Sequence, residues 1–301
     1  MTTTVLYNPY ANNNRAAEQV KKLQEVLPED KLEFLDLTTL EDVPAYVMSR
    51  PEDERIILAG GDGTLNRFLN DLGDRPLTRP LDYYPAGSGN DFMTDIKDKE
   101  PGPIVRLNPY LEQLPTVTVN GKTYRFLNGI GYGIDGYCCE VGDKLKATSD
   151  KPVNYAGIAI KGLLFHYHPT QATVIADGVE HTFRKVWLAP TMHGRYYGGG
   201  MMVAPDQDRS QCGGVSTTVV MYGSGKLKTL MVFPGIFKGE HIRHREMVSV
   251  LTGREITVRF DRPTALQIDG ETVLGVTEYS VHAPAPLAAP SEVPAQDAVP
   301  V

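Results

Sequence analysis

The sequence contains little cysteine. Its three cysteines, Cys138, Cys139 and Cys212, are an odd number, and the first two are adjacent and cannot form an ordinary disulfide with each other. None of them has the spacing of a zinc site. A disulfide-stabilised secreted domain and a structural zinc domain are therefore excluded, and the composition fits a reducing cytoplasm.

Long apolar runs are also missing. The most apolar long window, residues 156–165, is about half as long as a membrane span and is interrupted by Lys161. The first residues, MTTTVLYNPY, have neither the basic region nor the apolar stretch of a signal peptide and are typical of a first strand. We therefore expect a cytoplasmic protein whose contact with lipid is peripheral to the membrane.

An excess of basic residues is the third absence. The formal net charge is -7, whereas affinity for a nucleic-acid backbone requires clustered Lys and Arg. We therefore expect no nucleic-acid partner. The hydrophobic fraction of 41% and the charged fraction of 22% are those of a globular protein, and 301 residues exceed the usual size of one hydrophobic core. Two domains are the expected organisation.

The first part of the chain, residues 1–115, alternates strand and helix patterns. Short buried-type strands are predicted at residues 5–7, 32–37, 55–59 and 81–84. Between them, apolar residues recur at helical spacing, as in Leu65, Phe68, Leu69 and Leu72. This rhythm predicts an α/β domain with a parallel sheet and helices on both faces.

The pattern changes to alternating strands in residues 116–282. Asn120-Gly121 lies between two alternating stretches and predicts a hairpin. Further strands are predicted at residues 171–176, 181–190, 215–222, 254–260, 265–268 and 272–282, with helices at 153–165 and 226–237. We interpret this part as a second, mostly antiparallel β domain. Residues 283–301 are rich in Ala and Pro and are expected to form a disordered tail.

A glycine-rich segment, AGGDGTLN at residues 59–66, follows the third predicted strand and precedes an amphipathic helix. Ligands of open α/β sheets bind at the carboxyl ends of such strands, where adjacent glycines let backbone N–H groups approach phosphate. A carboxylate at Asp62 would repel phosphate directly, so we expect it to hold magnesium or to polarise an attacking hydroxyl. The alternative is a structural turn, because Gly-Asp-Gly is common in turns.

A second loop of small residues, PAGSGNDF at residues 85–92, follows the next strand. Its Asn90 and Asp91 are of the type that caps a helix. Asn8-Pro9 follows the first strand and should reach the same edge of the sheet. Three strand ends of this kind predict one common crevice and are difficult to explain as unrelated turns.

These motifs resemble the diacylglycerol kinase catalytic-domain family, which includes bacterial lipid kinases and sphingosine kinases. The likeness covers roughly residues 3–282 in consistent order, and that order is more specific than any single motif. The matching segments are NP at 8–9, GGDGT at 60–64, PAGSGNDF at 85–92, NGIGYGID at 128–135, YGGGM at 197–201 and DGE at 269–271.

The resemblance implies a nucleotide domain similar to those of NAD kinases and phosphofructokinases, joined to a C-terminal β-sandwich. It also implies an ATP- and Mg²⁺-dependent lipid kinase with a diacylglycerol-like acceptor. Asp62 would hold the catalytic magnesium, and Asp269 or Glu271 would be the general base. The implied cofactor-binding residues are Asn8, Pro9, Asn12, Thr38, Gly60, Gly61, Asp62, Gly63, Thr64, Leu65, Asn66, Gly87, Ser88, Asn90 and Asp91.

The sequence departs from the family pattern at two places. Asn12 stands in the first loop where the family has Gly, and it is expected to keep the turn because Asn tolerates the left-handed conformation. In residues 204–214 the family has paired Asp residues that hold a structural magnesium, but here Gln211 and Cys212 occupy that neighbourhood. Either that site is lost, or Asp206 and Asp208 provide it from a shifted register.

Two other functions stay open on the sequence alone. NAD kinases also carry GGDGT, although their second loop follows a different pattern. A nucleotide- or lipid-binding sensor that has lost activity would agree with the two departures, whereas the intact acidic residues count against it. The cluster Lys238, His241, Arg243, His244 and Arg245 is interpreted as a solvated face that could attract anionic lipid heads. The sequence does not identify the acceptor lipid, because any mixture of apolar residues could line its pocket. Formation of a homodimer stays open.

Overall fold

The computed structural model describes residues 2–112, 114–148, 153, 155–209 and 214–284. The first sheet has the order β2-β1-β3-β4-β5, in which β1 to β4 are parallel and β5 is antiparallel to β4. Its strands are β1 Thr2–Tyr7, β2 Lys31–Asp36, β3 Arg55–Gly60, β4 Asp82–Pro85 and β5 Val105–Arg106. The predicted parallel sheet is confirmed.

Helices cover both faces of this sheet. Two separate apolar clusters, one on each face, bury the two sides of β1 and β3; Leu6 and Leu58 belong to one, Val5 and Ile57 to the other. The alternation of these neighbours follows from the two-residue period of a strand. The helices are α1 Ala11–Asn14, α2 Ala16–Lys21, α3 Leu23–Val26, α4 Val43–Ser49, α5 Asp62–Leu72, α6 Asp91–Ile96 and α7 Asn108–Leu111.

The second part of the chain is mostly antiparallel sheet, as predicted. Its strands follow the order β15-β14-β11-β8-β16-β17-β6-β7, with β9 beside β16 and β10 beside β9. They are β6 Thr116–Val119, β7 Lys122–Arg125, β8 Gly129–Tyr132, β9 Thr170–Ala176, β10 Val179–Val186, β11 Thr191–Met192, β12 Tyr196–Tyr197, β13 Met201–Met202, β14 Ser216–Met221, β15 Val248–Gly253, β16 Glu255–Ile268 and β17 Glu271–His282. Asn120 and Gly121 have φ values of 49° and 73°, which confirms the predicted hairpin turn.

Strand β16 is shared by two strand pairings of this sheet. It pairs with β9 over Ile256 to Phe260 and with β8 over Leu266 to Ile268. The sequence predicted two strands here, at 254–260 and 265–268, but a single strand runs through a register shift between Arg259 and Thr264. A bulge of this kind bends a strand without ending it.

Helical segments cover one side of this second part. They are α8 Ile134–Lys146, α9 Tyr155–Lys161 and α10 Lys226–Val232, with a π-helical turn Gly162–His166 and 3₁₀ turns Phe233–Lys238 and Glu240–Arg243. A further 3₁₀ turn, Leu37–Thr39, follows β2 in the first part of the chain. Helix α8 was not predicted, because its glycines and paired cysteines weaken the helical pattern of its apolar residues. No described helix is both long enough and apolar enough to cross a bilayer.

The connection between the two parts is short. Helix α7 ends at Leu111 and β6 begins at Thr116, and the predicted boundary at 115/116 falls between them. The predicted tail at 283–301 lies outside the described residues except for its first two positions. The exact domain boundaries therefore stay predictions.

Candidate active site

The two glycine-rich loops touch each other at the carboxyl edge of the first sheet. A Cβ atom added to Gly87 would lie 2.3 Å from Cα of Gly61, and one added to Gly60 would lie 2.4 Å from Oγ1 of Thr64. Real Cβ atoms are not found at such distances, so a side chain at either position would displace a neighbouring loop or helix. The close approach of the two loops thus depends on glycine at position 87, and the packing of Thr64 against the end of β3 depends on glycine at position 60.

Asn90 closes the second loop. It has a left-handed φ of 53°, and its Oδ1 accepts from the N–H of Gly87 at 3.1 Å while its Nδ2 donates to the carbonyl of Gly87 at 2.9 Å. Asn90 therefore does not cap helix α6 with its side chain, contrary to the expectation from its residue type. Ser88 is left at the exposed tip of the closed loop.

The Asp62 carboxylate provides the cap of α6 instead. Its Oδ2 accepts from the N–H of Asp91 at 3.0 Å, and its Oδ1 accepts from the N–H of Phe92 at 3.0 Å. Oδ1 also accepts from Nδ2 of Asn128, in the second part of the chain, at 2.9 Å. The Asp62 carboxylate thus connects the first glycine loop to the second loop and to Asn128 of the second part of the chain.

The Asp91 side chain reaches the YGGG segment. Its two oxygens accept from the N–H groups of Gly199 and Gly200 at 2.8 and 2.7 Å. Both glycines have positive φ, 82° and 109°, which only Gly adopts easily. Burial, with a contribution from the nearby Asp62 charge, raises the pKa of Asp91 to about 6. Two carboxylates therefore lie side by side at the crevice.

Asp269 is a buried acceptor between the two parts of the chain. It accepts from Nδ2 of Asn66 on α5 at 3.0 Å and from three consecutive backbone N–H groups, those of Leu127, Asn128 and Gly129, at 2.5, 2.8 and 2.9 Å. Burial raises the pKa of Asp269, and these N–H groups oppose that rise. Both of its oxygens are already occupied by donors.

Glu271 is in a different environment, although it is only two residues away. Its side chain is exposed, and Oε1 lies 3.9 Å from the position that a Cβ atom on Gly63 would take. Its carboxylate forms no hydrogen bond or ion pair with the described residues. The second domain thus presents one unoccupied carboxylate to the GGDGT loop.

The remaining predicted nucleotide residues surround the crevice to different extents. Asn8 donates its N–H to the carbonyl of Ala59 at 3.3 Å and is held at the end of β3. Asn12 has a φ of 52°, so the predicted left-handed turn is confirmed. The N–H of Thr38 donates to Asp36 Oδ1 at 2.8 Å in an exposed turn after β2. The Leu65 side chain lies in the apolar core, so only its backbone could contact a ligand.

Asp135, the last residue of the NGIGYGID motif, is buried in the first turn of α8. Its Oδ2 accepts from the hydroxyl of Tyr197 at 2.6 Å, while Oδ1 has no partner among the described residues. Burial raises its pKa to about 7. The motif therefore supplies a carboxyl group that is readily protonated.

The sequence interpretation missed Arg209. Its guanidinium forms a buried ion pair with Asp95, donates to the carbonyl of Leu127 at 3.1 Å and to Asn128 Oδ1 at 3.0 Å, and lies 5.0 Å from the centroid of the Phe92 ring. Because Arg209 holds Oδ1 of Asn128, the amide Nδ2 points to Asp62. No spacing or motif in the sequence marks Arg209 for this role.

The described residues of the predicted structural magnesium site do not fit such a site. Asp208 is paired with Lys99, at 2.9 Å between Oδ1 and Nζ, and Asp206 is exposed. Gln211 and Cys212 lie outside the described residues. Within the described ranges, no three His, Cys, Asp or Glu side chains are grouped to hold a metal ion. The described part of this segment instead forms two ion pairs, Asp208 with Lys99 and Arg209 with Asp95.

Comparison with known proteins agrees with this arrangement. Residues 2–113 match the diacylglycerol kinase catalytic domain, and residues 128–288, more than half of the chain, match the YegS C-terminal NAD kinase beta sandwich-like domain. The chain belongs to the diacylglycerol kinase catalytic-domain family. The resemblance seen in the sequence and the predicted fold class are both confirmed.

Individual relatives of this lipid kinase family are distant. A diacylglycerol kinase of Mycobacterium tuberculosis (strain CDC 1551 / Oshkosh) is 26% identical over 217 residues, which are 70% of this chain and 67% of that protein. YtlR, a presumed lipid kinase of Bacillus subtilis (strain 168), is 24% identical over 310 residues, covering 94% and 97%. The fold is similar to a diacylglycerol kinase structure from Bacillus anthracis str. Sterne, with a TM-score of 0.57, 15% identity and coverage of 95% and 94%.

Proposed function

We propose that the protein transfers the γ-phosphoryl group of ATP to a hydroxyl of a membrane lipid, diacylglycerol or a related one. The observation that carries this proposal is the position of the Glu271 carboxylate, which comes from the second domain and lies next to Gly63 in the GGDGT loop. This arrangement supports the proposal because kinases hold the nucleotide phosphates in a loop and place a carboxylate where it can accept the proton of the acceptor hydroxyl.

The two touching glycine loops support nucleotide binding. Gly63 and Ser88 are exposed at the crevice, where the start of α5 directs its positive end outward. Backbone N–H groups and a helix N-terminus together favour phosphate. We assign the ATP phosphates to this edge and the adenosine to the neighbourhood of Asn8 and Thr38.

Asp62 and Asp91 fit a magnesium ion that is bound together with phosphate. Oxygen atoms of the two carboxylates lie 3.4 and 3.7 Å from the position that a Cβ atom on Gly89 would take. Magnesium in kinase sites is held by one or two carboxylates with substrate phosphates and water. When bound, the ion neutralises charge that develops on the phosphates.

The general base in this proposal is Glu271. Both oxygens of Asp269 already accept hydrogen bonds, so accepting a proton there would break contacts at the domain junction. In the transfer, the lipid oxygen forms a bond to the γ-phosphorus while the bond from that phosphorus to the β,γ-bridging oxygen breaks. The hydroxyl proton goes to Glu271, and ADP leaves with the bridging oxygen.

Arg209 and Asn128 act as positioning residues for Asp62. The guanidinium orients the Asn128 amide, and that amide donates to Asp62 Oδ1. Phosphoryl transfer depends mainly on positioning and charge neutralisation, so a shift of Asp62 would slow it without direct contact between Arg209 and substrate.

An acceptor screen tests the proposed function. The protein is incubated with γ-labelled ATP and, separately, with diacylglycerol, monoacylglycerol, sphingosine, ceramide, undecaprenol and NAD, with Asp62→Asn as the inactive control. We expect label in one of the lipids and none in NAD. Label in NAD alone would identify an NAD kinase, and binding of ATP without transfer to any acceptor would identify a sensor.

A further inference from the structure

An exposed apolar surface lies on the helical side of the second domain. Phe165, Leu227 and Met231 are 69%, 71% and 67% exposed. Leu227 and Met231 are four residues apart on α10 and therefore share one face of that helix. Ile160 and Phe237 extend the same two segments. We call residues 160–166 and 226–238 together the docking surface.

The two segments of the docking surface are firmly held. Nζ of Lys226 donates to the carbonyl of Leu164 at 2.8 Å, which joins them directly. Leu163 and Ile236, which point inward from the two segments, are fully buried in one apolar cluster. The exposed side chains therefore stand on anchored helical turns.

The charge of the docking surface is of one sign. It contains Lys161, Lys226, Lys228 and Lys238 and no Asp or Glu, in a chain whose net charge is -7. Glu246, from the neighbouring segment, pairs with Lys228 at 2.9 Å. Apolar side chains among lysines match the interface of a bilayer with anionic headgroups, where Lys is attracted to the surface and apolar groups enter it.

A second copy of this chain is a poorer match. A two-fold dimer through this surface would place the same patch on both subunits, so the lysines would face each other.

The neighbouring basic cluster, residues 238–245, contributes less positive charge to the surface than the sequence suggested. His241 is buried, and its Nε2 lies 3.0 Å from the carbonyl of Val203.

The docking surface is one helix away from the candidate active site. Tyr137, in the first turns of α8, contacts the turn that contains Gly162: a Cβ atom added to Gly162 would lie 2.7 Å from the ring of Tyr137. On its other side, Asp135 adjoins Gln267, whose Oε1 accepts from the N–H of Gly270 at 2.6 Å. Gly270 separates Asp269 from Glu271.

We propose that the docking surface rests on an anionic bilayer, with Phe165, Leu227 and Met231 entering the headgroup region. This inference rests on the proposed function, because a lipid acceptor must be taken from a membrane. The partner is the bilayer surface itself, and the attraction is that of cationic and apolar groups for anionic lipid.

Vesicle sedimentation of the full chain tests the proposal. The vesicles are phosphatidylcholine alone or phosphatidylcholine mixed with phosphatidylglycerol. The apolar variant is Phe165→Ser/Leu227→Ser/Met231→Ser, and the charge variant is Lys161→Gln/Lys238→Gln. The matched control is Val179→Ser/Leu274→Ser, because these are also exposed apolar side chains, each 58% exposed, but lie on β10 and β17. Thermal unfolding verifies that every variant is folded.

We expect the wild type and the control to bind phosphatidylglycerol vesicles at least about tenfold more tightly than either surface variant, with binding weakened by salt. Transfer to vesicle lipid should fall in parallel, while turnover of a short-chain soluble acceptor stays unchanged. Equal binding of wild type and apolar variant, or no binding at all, would overturn the proposal, as would light scattering that shows a wild-type dimer and a monomeric apolar variant. If vesicle binding follows the prediction but no lipid is phosphorylated, the docking surface stands and the proposed function fails.

Discussion

Replacement of Asp269 by Asn should destabilise the protein, whereas replacement of Glu271 by Gln should not. An Asn at 269 keeps one carbonyl oxygen, which can serve the N–H groups of Asn128 and Gly129. Its NH₂ group then faces Asn66 and the N–H of Leu127. The Asn66 amide can turn its oxygen toward the new NH₂ group, but the Leu127 N–H has no alternative.

The magnitude follows from these contacts. A buried donor left unpaired costs about 1–3 kcal/mol, and the surviving bonds weaken because their acceptor is no longer charged. Loss of the buried charge offsets part of this cost, since burial alone raises the pKa of Asp269. We expect the free energy of unfolding to fall by about 2–4 kcal/mol.

Urea titration followed by intrinsic fluorescence measures the effect, with Glu271→Gln as the matched variant. Glu271 is exposed and without a hydrogen-bond partner among the described residues, so its variant should lie within about 0.5 kcal/mol of the wild type. Equal stability of Asp269→Asn and wild type would refute the reasoning, because the buried Leu127 N–H cannot lose its acceptor, nor the Asn128 and Gly129 N–H groups a charged acceptor, without cost.

Four further predictions test other contacts of the site. Asp62→Asn should lower the turnover number by at least about 100-fold and also destabilise α6, which unfolding experiments would detect. Gly87→Ala should raise the KM for ATP because it separates the glycine loops, whereas Gly225→Ala, with open space at its Cβ position, should not. The wild type should lose roughly 2 kcal/mol of stability relative to Asp91→Asn between pH 4 and pH 7, because the folded pKa of Asp91, about 6, is above its unfolded value of 3.8 and the folded state therefore favours the neutral form. A difference that does not change with pH would contradict this. Arg209→Met should lower the free energy of unfolding by about 3 kcal/mol, and it should change the turnover number more than it changes the KM for ATP. Arg209→Lys should restore part of the stability and part of the turnover number.

The features that the sequence predicted are those set by local backbone chemistry. Glycine loops after apolar strands predicted where Gly61 and Gly87 meet, and Asn-Gly predicted the hairpin at 120–121. Asn12 adopts the left-handed conformation for which Asn is suited. In each case the residue type itself limits the backbone, so a single sequence is sufficient.

The features that the sequence did not predict depend on contacts between distant residues. Asp269 and Glu271 are equivalent in a sequence motif, but only the fold shows that three consecutive N–H groups and Asn66 surround Asp269. Arg209 has no local signal because its partners lie about 80 to 115 positions away in the chain. The continuous β16 depends on pairing with two different neighbours, which its own residues do not encode.

Single-turnover transfer by Glu271→Gln tests the central claim most directly. Enzyme in excess over γ-labelled ATP is mixed with the lipid acceptor, and ATP affinity is measured separately. We expect the transfer rate to fall by about 100- to 10,000-fold, because a general base contributes that much, while ATP affinity and the free energy of unfolding stay at their wild-type values. Transfer at the wild-type rate by Glu271→Gln would contradict the assignment of Glu271 as the base and, with it, the proposal that the two domains form one kinase site.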